Sequence, residues 1–308
     1  MVQGPGRPVV SVAPVTLPAP GRGVDLEVRV SAPVTGTDLP VVAFSHGFGS
    51  SARAYGPLVD VWAAHGFVVV QPTHLDSRTL GLPPGDPRAD RPWRTRAEDL
   101  RRVLDDLGTL TAAVPGLEGR VDPARVGVAG HSFGGQTAGL LLGLRVLDPD
   151  GEPGPDLTDA RARVGVLLAT AGRGGDALAP GMIERMPWLN PDFEELRTPT
   201  LVVVGDADHS PLTVRGPDWM TDPYRLAPGA TDLLTVLGGE HSLGGIAGYE
   251  AAETTDEDPA RVAVVARATG AYLRSALVPE DDAWPRVRAA LDPSVVRLES
   301  RDGAVGRA

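Results

Sequence analysis

The chain has 308 residues, 42% hydrophobic and 22% charged, a size that buries roughly three quarters of its unfolded surface in one large α/β domain or two modest ones. Forty acidic against 29 basic residues leave a net charge of −11, a field that repels nucleic acid and anionic lipid surfaces unless a local basic patch opposes it, and none is seen. There is no cysteine, which removes disulfides, thiolate metal sites and cysteine nucleophiles, and no apolar run approaches the length of a membrane span.

Val9 to Leu17 and Val24 to Val34 read as two early strands around the turn Pro20-Gly21-Arg22-Gly23. Val41 to Ser45 is a short apolar run ending in His46-Gly47. Ala52 to His65 is predicted as a helix, with Leu58, Val59 and Trp62 on one face. Phe67 to Val70 is the next buried strand, and His74 to Trp93 a long loop rich in Pro, Gly and Asp. Arg96 to Leu110 carries Leu100, Val103, Leu104 and Leu107 at helical spacing. Arg125 to Ala129 is a strand and Ser132 to Leu147 an apolar helix. Arg163 to Ala169, Thr200 to Val204 and Leu233 to Leu237 are further strands, and Pro259 to Ala276 is a closing helix.

Strands of Val, Leu and Ala without alternation, separated by helices, predict an α/β fold with a mostly parallel sheet covered on both faces. The whole chain, 1–308, is expected as one domain. Segment 172–196 interrupts the rhythm with Met182, Ile183, Met186, Trp188 and Phe193, and is a candidate cap. The bland alternative is a minor apolar cluster under long loops. Residues 298–308 look frayed. Met1 to Leu17 lacks a basic start followed by an apolar core, so a cytoplasmic location is expected, with export left open for a trimmed leader.

Gly130-His131-Ser132-Phe133-Gly134-Gly135 follows a strand and opens a helix. Small residues two before and two after the serine permit a strained turn that projects Ser132 Oγ above the sheet, beside a helix N-terminus. A base and its orienter should follow in the order acid, then histidine. His241, in Gly238-Gly239-Glu240-His241, is the expected base. The acid is expected after the strand Leu201 to Val204, where Asp206 and Asp208 both stand; Asp208 is preferred and Asp206 assigned to the turn. The oxyanion donors are expected to be the backbone N–H groups of Phe133 and of Phe48, the latter from His46-Gly47-Phe48-Gly49. His74, Met186, Trp188 and Trp219 are candidates for the substrate pocket. His131 is expected to pack beside the turn, and Asp256, Glu257 and Asp258 to serve the start of the last helix. The scattered histidines and the lack of phosphate-loop glycines predict no metal and no cofactor.

Together these segments resemble the α/β-hydrolases. Ser45-His46-Gly47-Phe48-Gly49, His65-Gly66-Phe67 and Pro72-Thr73-His74 bring the likeness closer to the chlorophyllase-like and platelet-activating-factor-acetylhydrolase-like bacterial hydrolases, neighbours of the cutinase-type polyester hydrolases. The resemblance implies a Ser132–Asp208–His241 triad and a serine esterase acting on a small-molecule ester without cofactor. It leaves as alternatives a lipase-like enzyme, an amidase, a tailoring esterase, or a hydrolase-fold protein that only binds a ligand. Ser132 stands where dienelactone hydrolases carry cysteine and haloalkane dehalogenases aspartate, which sets both activities aside.

Overall fold

The computed structural model describes residues 6–83, 85–248 and 254–301. In chain order the strands and helices are β1 (Val9–Leu17), β2 (Leu26–Pro33), β3 (Leu39–Ser45), α1 (Gly56–Ala64), β4 (Val68–Pro72), α2 (Pro92–Asp105), α3 (Leu107–Ala112), β5 (Val121–His131) and α4 (Phe133–Leu142). There follow β6 (Arg145–Val146), β7 (Ala162–Leu168), α5 (Met182–Arg185), β8 (Pro191–Asp192), β9 (Thr200–Gly205), α6 (Asp222–Leu226), β10 (Ala230–Val236), α7 (Pro259–Leu277), α8 (Ala283–Ala289) and β11 (Val296–Ser300).

Among the described residues, nine strands form one sheet in the order β1-β2-β4-β3-β5-β7-β9-β10-β11. The six from β4 to β10 run parallel, and antiparallel strands close both edges. The continuous apolar runs are explained by this arrangement, because a central parallel strand is covered on both faces. Along β3, Val41 and Ala43 pack with Leu100 and Val103 of α2 and Leu141 of α4. Val42 and Phe44 turn to the opposite face, against Leu58 and Trp62 of α1 and Leu273 of α7. One strand therefore serves two cores.

The predicted helix 96–110 is two helices, α2 and α3, joined at Asp106, and α2 begins earlier, at Pro92. Proline suits that first-turn position, where its missing N–H has no partner to lose. The predicted helix 132–147 stops at Leu142, because Gly143 turns left-handed at φ 115° and Leu144 leads into the short strand β6. Residues 298–301 are not frayed. Leu298 pairs with Leu234 of β10, inside the antiparallel strand β11; residues 302–308 lie outside the described part. Segment 172–196 carries a 3-10 turn, α5 and β8, and β8 pairs with β6. No described helix is long and apolar enough to cross a membrane.

Two registers matter for the site. Ser45 at the end of β3 lies beside Gly130 at the end of β5, and Gly205 at the end of β9 lies beside Val236 at the end of β10. The loops leaving all four strands consequently meet at the carboxyl edge of the sheet, the usual ligand edge of such folds.

Candidate active site

Ser132 sits between β5 and α4 with φ 57° and ψ −123°, a backbone region that a side-chain-bearing residue occupies only under strain. Close packing explains the flanking glycines. A Cβ on Gly130 would stand 2.0 Å from the Gly134 carbonyl oxygen, and one on Gly134 would stand 2.0 Å from that of Ser45. The strained turn is pinned by the Ser132 N–H donating to Leu168 O at 2.8 Å.

Ser132 Oγ lies 2.9 Å from His241 Nε2, and His241 Nδ1 lies 2.8 Å from Asp208 Oδ2. A carboxylate only accepts, so Nδ1 carries the proton and Nε2 is left to accept from the serine hydroxyl. Asp208 is buried, while the His241 side chain is 44% exposed. Asp206 turns elsewhere: its Oδ1 accepts from Gly238 N–H at 2.6 Å, tying the β9 loop to the β10 loop. His209, next to Asp208, is exposed.

Phe133 is the first residue of α4, where helical N–H groups have no partner within the helix and the dipole favours negative charge. The Phe48 and Phe133 rings stand 6.2 Å apart, and Phe48 is 55% exposed. Arg96 and Asp76 support the loop 46–49 from beneath. Arg96 donates to His46 O at 2.7 Å and to Gly47 O at 3.2 Å, while Asp76 Oδ2 accepts from Gly49 N–H at 3.1 Å. The pair itself is joined by two hydrogen bonds of 2.8 and 2.7 Å, and the Arg96 guanidinium lies 4.6 Å from the centre of the Phe133 ring. Burial pushes the Asp76 carboxyl upward, but the charge and hydrogen bonds of Arg96 outweigh it and hold the group well below the usual carboxylate range.

A second relay lies behind this loop. Ser45 Oγ is 2.9 Å from His74 Nε2, and His74 Nδ1 is 3.0 Å from Asp99 Oδ2, with Asp99 also bound by Arg22. Its wiring is triad-like, yet Ser45 and His74 have no exposed surface at all. Ser45 sits in a regular strand, without the strained turn of Ser132. His74 is thus not a lining residue of an open pocket.

Trp219 is also fully buried, in the core with its indole N–H donating to Arg173 O at 2.7 Å, which corrects its placement in the pocket. Met186 and Trp188 are half-buried, and Gln136 of α4 donates to the Trp188 carbonyl at 2.8 Å. Of the three carboxylates expected at the start of α7, Asp258 caps it, accepting from Ala260 N–H at 2.8 Å, and Asp256 does not. Asp256 Oδ2 instead accepts from the N–H groups of Glu240 and Gly244, both at 2.8 Å, and clamps the loop that carries His241. The roles of Arg96, Asp76 and Asp256 were not signalled by sequence, since each depends on partners from 12 to 50 residues away.

Burial holds three histidines neutral. The His46 and His74 imidazoles lie well below their ordinary value through burial and then the nearby Arg96 charge, and burial with the neighbouring His241 lowers His131 to about 3. In the unfolded chain each takes a proton near pH 6.5, so their contribution is whole above that pH and lost as pH falls below it. His131 alone then removes about 2 kcal/mol at pH 5. Asp99 acts in the opposite sense: burial raises it to about 6 against the pull of Arg22, so protonation below pH 6 favours the folded state. With three groups against one, the unfolding midpoint is expected to fall between pH 7 and pH 5. Thermal scans at both values check it; an unchanged midpoint would show that these histidines take their protons in the folded state.

A strained serine at a strand-to-helix turn, facing a histidine held by a buried carboxylate, on the carboxyl edge of a parallel sheet, defines an α/β-hydrolase, and the chain belongs to the alpha/beta hydrolase family, whose model matches residues 42–240. Among characterised proteins, it is similar to platelet-activating factor acetylhydrolase of Cavia porcellus, 26% identical over 137 residues, or 33% of this chain and 31% of that protein. It is also similar to cutinase est1 of Thermobifida alba, 28% identical over 193 residues, or 62% of this chain and 49% of that protein. The matches span about a third of the first relative's length and about half of the second's.

Proposed function

We propose that the protein is a serine hydrolase that cleaves carboxylic esters of small or medium, largely apolar substrates through an acyl-enzyme on Ser132. The unbroken Ser132–His241–Asp208 relay at a strained turn carries this reading. His241 Nε2 takes the proton as Ser132 Oγ attacks the ester carbonyl, and Asp208 holds the imidazole in the required tautomer and stabilises its positive form. The N–H groups of Phe48 and Phe133 receive the oxyanion. His241 then protonates the departing alcohol, and water repeats the two steps on the acyl-enzyme.

The exposed Phe48 ring and the half-buried Met186 and Trp188 are the apolar side chains proposed to receive the acyl or alcohol part, with segment 172–196 proposed as the cap. Kinship with the platelet-activating-factor-acetylhydrolase-like branch is supported by Ser45-His46-Gly47-Phe48-Gly49, His65-Gly66-Phe67 and Pro72-Thr73-His74, and by the relative that bears that name.

Hydrolysis of p-nitrophenyl esters from acetate to palmitate tests this reading, with and without EDTA. The expected result is turnover that ignores EDTA, peaks at short to medium chains, and falls by three or more orders of magnitude in Asp208→Asn but less than tenfold in Asp206→Asn. Equal small losses at both aspartates would remove Asp208 from the relay, and no turnover on any ester by the folded protein would overturn the esterase reading.

A further inference from the structure

Tyr55 has no place in the relay, yet its conformation is costly. It precedes α1 in the left-handed region, at φ 68° and ψ 20°, and is 2% exposed. A bulky residue is rarely found there, and such strain persists only where the surroundings enforce it. The ring is wedged between Phe44, at 4.8 Å between centroids, and His131, at 5.6 Å. This aims the phenol oxygen at the base of the elbow.

Three hydrogen bonds run in series through it and His131. The Gly47 N–H donates to Tyr55 Oη at 2.9 Å, Tyr55 Oη lies 2.9 Å from His131 Nδ1, and His131 Nε2 lies 2.8 Å from the His241 carbonyl oxygen. The proton positions follow from what each group can do. The His241 carbonyl can only accept, so Nε2 of the neutral His131 carries the hydrogen. Nδ1 is therefore an acceptor, the phenol donates to it, and the phenol oxygen accepts from Gly47 N–H. A Cβ on Gly47 would stand 3.0 Å from Tyr55 Oη, so only a glycine brings the loop this close without displacement.

Gly47 directly precedes Phe48, and His241 is the base of the relay. We infer that Tyr55 is a positioning residue: through His131 it fixes the distance between the Phe48 oxyanion donor and the catalytic histidine. The inference rests on the proposed roles of Ser132, His241 and Phe48. A misplacement of about 1 Å in such a constellation is enough to cost up to 100-fold in rate. The group whose position matters is engaged only when charge develops on the substrate oxygen, so the effect belongs to the transition state and not to substrate binding.

Tyr55→Phe removes one oxygen and keeps the ring. With p-nitrophenyl butyrate, kcat is expected to fall about tenfold or more with KM within twofold. Affinity for a trifluoromethyl ketone, whose hemiketal oxygen needs the same donors, should weaken by the same factor as kcat/KM. His131→Phe breaks the chain at its next link, and the double variant should be no slower than the slower single one, because both cut one chain. A Tyr55→Phe protein that keeps kcat and inhibitor affinity within twofold overturns the inference, as do fully multiplicative losses in the double variant. If Tyr55→Phe does not fold, the split between kcat and KM in His131→Phe decides alone, with a loss confined to KM overturning it. Ser132→Ala is measured alongside: retained turnover there strikes the esterase reading itself, whereas a dead Ser132→Ala with an unaffected Tyr55→Phe strikes only the role of Tyr55.

Discussion

Replacing Ser132 by alanine is expected to lower ester turnover by three to six orders of magnitude, about the range seen when one member of a cooperating triad is lost. Replacing Ser45 is expected to leave turnover within the same order of magnitude. The two serines have nearly the same surroundings by distance, each 2.9 Å from a histidine Nε2 whose Nδ1 meets an aspartate. They differ in access and backbone. Ser132 is strained at φ 57° and half-buried beside an exposed histidine; Ser45 lies in an ordinary strand with no exposed surface. No ester carbonyl reaches Ser45 without opening the sheet. Ser45→Ala instead leaves His74 Nε2 without its donor, a loss of about 1–3 kcal/mol in stability. Kinetics on both variants, with melting curves, check the pair; an inactive Ser45→Ala of unchanged stability would move the chemistry to the buried relay.

The second large effect is expected at Arg96. Replacement by methionine keeps much of the side chain's length and removes the charge, so Asp76 is left as an uncompensated buried carboxylate at a cost of about 3–5 kcal/mol. Two carbonyls of the loop before Phe48 lose their donor at the same time, and the Phe133 ring loses its cation. Turnover should therefore fall together with stability. The double variant Arg96→Met, Asp76→Leu separates the two consequences. It restores most of the stability, since an apolar pair of similar volume replaces a buried ion pair at little cost. It does not restore the donors to His46 O and Gly47 O, and it removes the acceptor of Gly49 N–H, so kcat stays low. Chemical denaturation and steady-state kinetics on the two proteins test this. Recovery of both quantities together would mean that the ion pair serves the fold alone.

Much of this was readable from the chain. Runs such as Val41 to Phe44 and Leu201 to Val204 announce buried parallel strands because composition alone reports coverage on both faces. The Gly130 to Gly135 turn is local, so its geometry is encoded in consecutive residues. Asp208 was legible for a weaker reason, namely that it stands three residues past the end of a strand beside the one carrying His241. What escaped was long-range pairing. His74 looks like a rim residue because it ends a strand at the loop edge, and only the fold brings Asp99 and Ser45, 25 and 29 residues away, around it. Trp219 offers the same lesson, since a tryptophan after a proline-rich loop fits a cap or a core equally well. Asp256, Glu257 and Asp258 read alike as helix-start carboxylates by spacing, but Asp258 alone is the cap and Asp256 serves the histidine loop.

The strand β11 has a consequence for behaviour in concentrated solution. Every residue of β10 is buried, and Leu233, Leu234 and Val236 make it an apolar ribbon. Were it outermost, its free N–H and C=O groups would offer a template on which other chains could grow into aggregates. β11 covers that ribbon and presents in its place an edge carrying Arg297 and Glu299, with Glu299 joined to Arg225 of α6 at 2.8 Å. Charged side chains along an outer strand would have to give up water on edge-to-edge pairing, which makes such association unfavourable. The last strand of the sheet thus acts as a colloidal safeguard, covering an edge on which other chains could otherwise grow.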